Sequence, residues 1–202
     1  MLSNSEKDAV RFLNCCSVLE EETFQLYHTL ARKINYVDVK SLLIGLAYDS
    51  LKHSKIVGEL SKNIVKPELQ VKDCKKQLGQ LWKNIYGLSE KILKSEKILD
   101  DDLPSLLKDL ANLEDQVSER YEIFLQPKTL QFITREISSN AHADLETSKS
   151  IFEGLIRDKD NHRDTLIAII YYFATRELEM AKDNTPIVKY QNPDGWSRPL
   201  QF

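Results

Sequence analysis

Glycine and proline are scarce in this 202-residue chain, six of each, which argues against the many tight turns of a β-sandwich or barrel. Only three cysteines are present, Cys15, Cys16 and Cys74, one adjacent pair and one distant residue. They offer neither a disulfide framework nor a CxxC metal knuckle, and so point to a reducing compartment. No excess of positive charge exists: the formal net charge is -3 and the pI about 5.9. Nucleic acid and anionic membrane are therefore not expected partners. The first dozen residues are broken by Glu6, Lys7, Asp8 and Arg11, and no later run is apolar for the length of a membrane span. A soluble, cytoplasmic protein is the expectation. Gly-rich phosphate loops, nucleophile elbows and HExxH motifs are also missing, which counts against nucleotide-dependent enzymes and hydrolases.

What remains is rich in helix formers. From Glu6 to about Lys33, Phe12, Leu13, Cys16, Leu19, Thr23, Tyr27 and Leu30 recur at three- and four-residue steps and predict one long amphipathic helix. A second is expected from Tyr36 to Asn63, with Val39, Leu42, Leu43, Leu46, Ile56, Val57 and Leu60 inward and Pro67 after its end. Leu78, Leu81, Ile85, Leu88 and Ile92 place a crossover helix over about 71–99, weakened near Gly79 and Gly87. Asp100, Asp101, Asp102 and Pro104 signal a helix start near Leu103, running to Pro127. A short piece follows from Thr129 to Ile137, then a long helix from about Asp144 to Lys182. One all-α domain is thus expected over residues 1–183. Residues 184–202, with Pro186, Pro193, Pro199, Tyr190, Trp196 and Phe202, read as an extended tail.

Polar groups recur inside the apolar stripes. Leu19-Glu20 precedes Tyr27 as Leu113-Glu114 precedes Tyr121, with identical spacing. Gly45-Leu46 leads to Asp49 and His53 as Gly154-Leu155 leads to Asp158 and His162. A helix pair used twice, over 5–63 and 103–182, explains both coincidences. On a helical projection Glu20, Glu114, His53 and His162 all face the core. Burying carboxylates without compensation costs several kcal/mol, on the order of a whole mutation's effect, and two Glu with two His offer compensation through a metal.

On these residues the chain resembles the ferritin-like superfamily, bacterioferritins and rubrerythrins included, over roughly residues 5–180. The resemblance implies a four-helix bundle with an additional crossover helix. It implies Glu20, His53, Glu114 and His162 as metal ligands, Asp49 and Asp158 as the aspartates that each orient a histidine of the opposite helix, and Tyr27 and Tyr121 as tyrosines bonding near the site. The family's two bridging glutamates are replaced by Ser50 and Lys159. Two adjacent divalent ions would lack the negative charge that holds them together. The expected function is therefore metal binding at a reduced, mononuclear iron, manganese or zinc site, in redox chemistry of an oxidase or peroxidase kind or in iron handling. The alternative is a metal-free scaffold or regulator in which Lys159 neutralises the former site. A homodimer is expected, using the apolar face of the crossover helix, with a small oxidant or another protein as further partner.

Overall fold

The computed structural model describes residues 4–64, 71–138 and 144–183. The Pro67 break, the loop holding His142 and the tail beyond Asp183 lie outside the described residues. All regular structure among them is helical: α1 Asn4–Lys33, α2 Val37–Ile64, α3 Val71–Leu78, α4 Gln80–Lys94, α5 Leu103–Leu125, α6 Pro127–Ser138 and α7 Leu145–Asp183. The long elements pack as two intimate pairs, α1 on α2 and α5 on α7, and α4 lies across α1 and α5. No described helix is long and apolar enough to cross a membrane.

Three residues separate α1 from α2, so the two helices fold back on each other. Their close approach uses Gly58, where an added Cβ would come within 2.9 Å of Ser17 Oγ. Ser17 instead donates to the Ser54 carbonyl at 2.8 Å. The core is a continuous apolar cluster contributed by all seven helices except where the site interrupts it. Phe12, Phe124 and Phe152 stack in series at 5.4 and 5.0 Å between centroids and tie α1, α5 and α7 together beside Tyr121.

The crossover is two helices where one is expected. Gly79 adopts φ +56°, a conformation only glycine takes without strain, and turns the chain between α3 and α4. Gly87 is passed without interruption. The element also ends at Lys94, five residues early, because Lys33 Nζ donates to the carbonyls of Ile92, Leu93 and Ser95 at 2.7, 3.1 and 2.6 Å. A cation on the last free carbonyls is a favourable C-terminal stop. Its lysines Lys75, Lys76, Lys83, Lys91 and Lys94 are exposed. Its apolar face, by contrast, is not free for a partner: Leu81, Trp82, Ile85, Leu88 and Ile92 are all buried inside the chain.

Two further expectations are corrected. Leu42 is 48% exposed, because it lies at the edge of an open groove between α2 and α7. Cys15 and Cys74 form a disulfide, with Cα atoms 5.2 Å apart, linking α1 to α3. Sequence distance hid that pairing, and the argument from cysteine count to a reducing compartment falls with it. Cys16, one residue on, points into the apolar seam as a buried free thiol, as expected.

Candidate functional site

Each of the four long helices delivers polar side chains to one level of the core. Glu20 and Tyr27 come from α1, Ser50 and His53 from α2, Glu114 and Tyr121 from α5, Lys159 and His162 from α7, and all eight are buried. The spacing within each helix explains this. Glu20 and Tyr27 are two turns apart on one face, and His53 is one turn beyond Asp49, as His162 is beyond Asp158.

The centre is occupied by Lys159. Its Nζ donates to Glu20 Oε2 at 2.7 Å and lies 3.1 Å from Glu114 Oε2. The second contact is an ion pair, not an aligned hydrogen bond, and Glu114 Oε2 has no hydrogen-bond partner. The tyrosines bond crosswise. Tyr27 Oη of α1 donates to Glu114 Oε1 of α5 at 2.5 Å, and Tyr121 Oη of α5 donates to Glu20 Oε1 of α1 at 2.8 Å. The histidines cross as well: His53 Nε2 lies 3.0 Å from Asp158 Oδ2, and His162 Nε2 lies 3.5 Å from Asp49 Oδ2. Their rings stack at 5.8 Å. Each histidine thus meets the aspartate of the opposite helix.

Electrostatics follow from this placement. Burial alone would raise the pKa of Glu114, but the Lys159 charge, then His162 and the Tyr27 hydroxyl, outweigh it and hold the carboxyl down to about 2. Glu20 is lowered from its ordinary value in the same way, burial opposed by Lys159 and then His53. Burial would lower the Lys159 pKa, but the two carboxylates raise it above its ordinary value, so the amine is an ammonium at neutral pH. Both tyrosines are pushed up, by burial first and then by the carboxylates they bond, so they stay protonated. A charged lysine is no nucleophile, and phenols that donate are no bases.

At the surface end, Lys52 Nζ bridges Asp49 Oδ1 and Asp158 Oδ2 at 2.9 and 3.0 Å. Burial would raise both aspartates, but Lys52 at Asp49, and His53 then Lys52 at Asp158, outweigh it and lower both pKa values. Lys52 was not expected in the site. Its place one turn after Asp49 and beside His53 is the only sequence signal, and its counterpart by the repeat spacing, Asn161, carries no charge.

Glutamate and histidine are residue types that hold metal ions. Among the described residues, no three His, Cys, Asp or Glu side chains are set to hold one ion. The ammonium sits against both glutamates, and Ser50, the other departure, brings a hydroxyl instead of a carboxylate. What is left over is a set of buried polar atoms without hydrogen bonds: Ser50 Oγ, His53 Nδ1, His162 Nδ1 and Nε2. His53 Nδ1 is 3.8 Å from Glu20 Oε2 and His162 Nδ1 is 3.6 Å from Glu114 Oε1. His28 stacks on Phe24, one turn earlier on α1. This chain matches no protein-family model, no curated protein and no solved structure.

Proposed function

We propose that the chain is a ferritin-like four-helix bundle, made by duplication of one helix pair, whose ancestral metal centre is closed by the Lys159 ammonium. It then serves as a metal-free helical scaffold or regulatory protein. The observation that carries this reading is the buried contact of Lys159 with both Glu20 and Glu114. The crosswise Tyr–Glu and Asp–His pairs support the duplication, since each contact from one helix pair has a counterpart from the other, the His162–Asp49 contact being the longer of its kind. A cation supplied by the chain itself satisfies two buried carboxylates that otherwise demand a bound one. Neither the ammonium nor the protonated tyrosines is poised for catalysis.

A second reading keeps a single iron, manganese or zinc ion, with Glu20, His53, Glu114 and His162 as its ligands. It is favoured by the unpartnered Nδ1 atoms of His53 and His162, each facing a carboxylate. Imidazole and carboxylate suit these metals, though Lys159 would have to withdraw for them.

Metal content separates the two. Protein purified without chelator and offered ferrous iron, manganese or zinc anaerobically is compared with S50E/K159E, which restores both bridging carboxylates, and with H53A/H162A. The first reading predicts no stoichiometric ion in the natural chain and uptake in S50E/K159E. Stoichiometric metal in the natural chain, lost in H53A/H162A, would replace it with the second.

A further inference from the structure

The net charge of -3 is unevenly spread. Residues 71–97, which hold α3 and α4, carry seven lysines against three acids, so the rest of the chain is acidic. Along this basic segment, between α4 and α5, runs a cleft of about 440 Å³, within the range of small-molecule sites. Lys83, Gly87 and Lys91 line it from α4, and Asp109, Asn112 and Gln116 from α5. One end is closed by a hydrogen bond between the helices, Asn84 Nδ2 donating to Gln116 Oε1 at 2.8 Å. Lys94, one turn past Glu90, is paired with it at 3.2 Å. Among the described residues, by contrast, Lys83, Lys91 and Asp109 have no ion-pair partner.

We propose that this cleft binds a small phosphorylated polyol, its phosphate seated over Gly87 between the two lysines. The spacing on α4 comes first. Lys83, Gly87 and Lys91 follow at steps of four, so they share one face of the helix, and each lysine stands about 6 Å along the axis from the glycine. The flexible four-carbon stem of lysine lets both ammoniums close on one anion from either side. Gly87 is the second observation. In a helix interior glycine is less stable than alanine, and no packing within the chain asks for it here, since an added Cβ would meet nothing within 4 Å. What its missing side chain leaves open is the seat between the lysines. The opposite wall supplies the third. Asp109 repels a bare anion, but with Asn112 it offers a carboxylate acceptor and an amide to hydroxyl groups. Two ammoniums match the charge of about -1.5 to -2 on a phosphate monoester, and the α5 wall matches the hydroxylated body that carries it.

Glucose 6-phosphate is the probe, titrated into the full natural chain by calorimetry and by nitrogen-15 amide shifts, beside glucose and inorganic phosphate. The expected result is saturable one-to-one binding, with shifts concentrated in residues 83–91 and 109–116 and an affinity on the order of tenfold above either fragment. Lys83→Ala/Lys91→Ala removes the cations and Gly87→Leu fills the seat, all at exposed positions that leave the core intact. Each should weaken binding by about tenfold or more. Lys75→Ala/Lys76→Ala, on the same basic segment but outside the cleft, should leave it unchanged. No saturable binding of the sugar phosphate below about 10 mM would overturn the proposal. So would equal affinity for inorganic phosphate, or an equal loss in Lys75→Ala/Lys76→Ala, since either would reduce the site to diffuse positive charge.

Discussion

Position 50 on α2 and position 159 on α7 stand at corresponding points of the repeated sequence spacing, and they differ in opposite ways. Lys159 is buried, charged and paired to two carboxylates. Ser50 is equally buried, neutral, and its hydroxyl has no hydrogen-bond partner. One ammonium on one side has sufficed to settle a site that two carboxylates line. The difference teaches that charge balance is satisfied at the centre before every polar atom is, since an unpaired charge in low dielectric costs more than an unpaired hydroxyl, roughly 3–5 against 1–3 kcal/mol.

The sharpest way to break that comparison is to exchange the two losses. Lys159→Met strands Glu20 and Glu114 face to face and is expected to lower unfolding free energy by about 3–5 kcal/mol in urea titrations. Ser50→Ala removes an already unsatisfied group and should leave it unchanged or raise it, by up to about 1–3 kcal/mol. Equal effects would dissolve the asymmetry. Adding Glu20→Gln to Lys159→Met should recover part of the loss, and the coupling in that double-mutant cycle measures the pair itself.

Acid sharpens the same contrast. The folded-state pKa values of Glu20 and Glu114 lie below the ordinary 4.5. Their contribution is therefore fully present above about pH 4.5 and fades as pH falls through the folded values, about 2 for Glu114. Stability of the natural chain should drop across that window, and Lys159→Met should lose most of the drop.

The crosswise tyrosines give a smaller effect. Tyr27→Phe and Tyr121→Phe each remove a hydrogen bond to a carboxylate, expected to cost about 1.5–3 kcal/mol apiece by thermal or urea unfolding. The two values should be alike, because their bonds are counterparts. Smallest is Lys52→Ala at the half-exposed mouth. The pair it makes with Asp49 and Asp158 is screened, so a change within about 1 kcal/mol that shrinks in high salt is expected.

Much of the fold was written in the sequence as periodicity. The long helices begin and end within a few residues of the expected places because their apolar stripes, Pro104 and the Asn35-Tyr36 junction are local signals. The candidate site was legible for another reason: Glu20, Glu114, His53 and His162 interrupt those stripes, and recurrence at fixed spacing distinguishes them from stray polar residues. What escaped depends on contacts distant in sequence. The break at Gly79 rests on a positive φ, and the early end of α4 rests on Lys33 reaching across from α1. The Cys15–Cys74 link and the Lys52–Asp158 half of the bridge join residues that no single-helix pattern relates. Leu42 misled because a helical stripe gives the period of a buried face but not its width. The crossover helix misled in the reverse sense, its apolar face being spent on α1 and α5 instead of a partner.

The most direct test of the central claim is nitrogen-15 NMR of the Lys159 side chain in the natural protein, assigned with Lys159→Arg and followed from neutral pH upward with and without added zinc. A buried ammonium held by Glu20 and Glu114 predicts a slowly exchanging Nζ signal that stays protonated past the ordinary lysine value of 10.5 and is indifferent to zinc. A signal that exchanges and titrates like the surface lysines, or one that zinc displaces, would contradict the account.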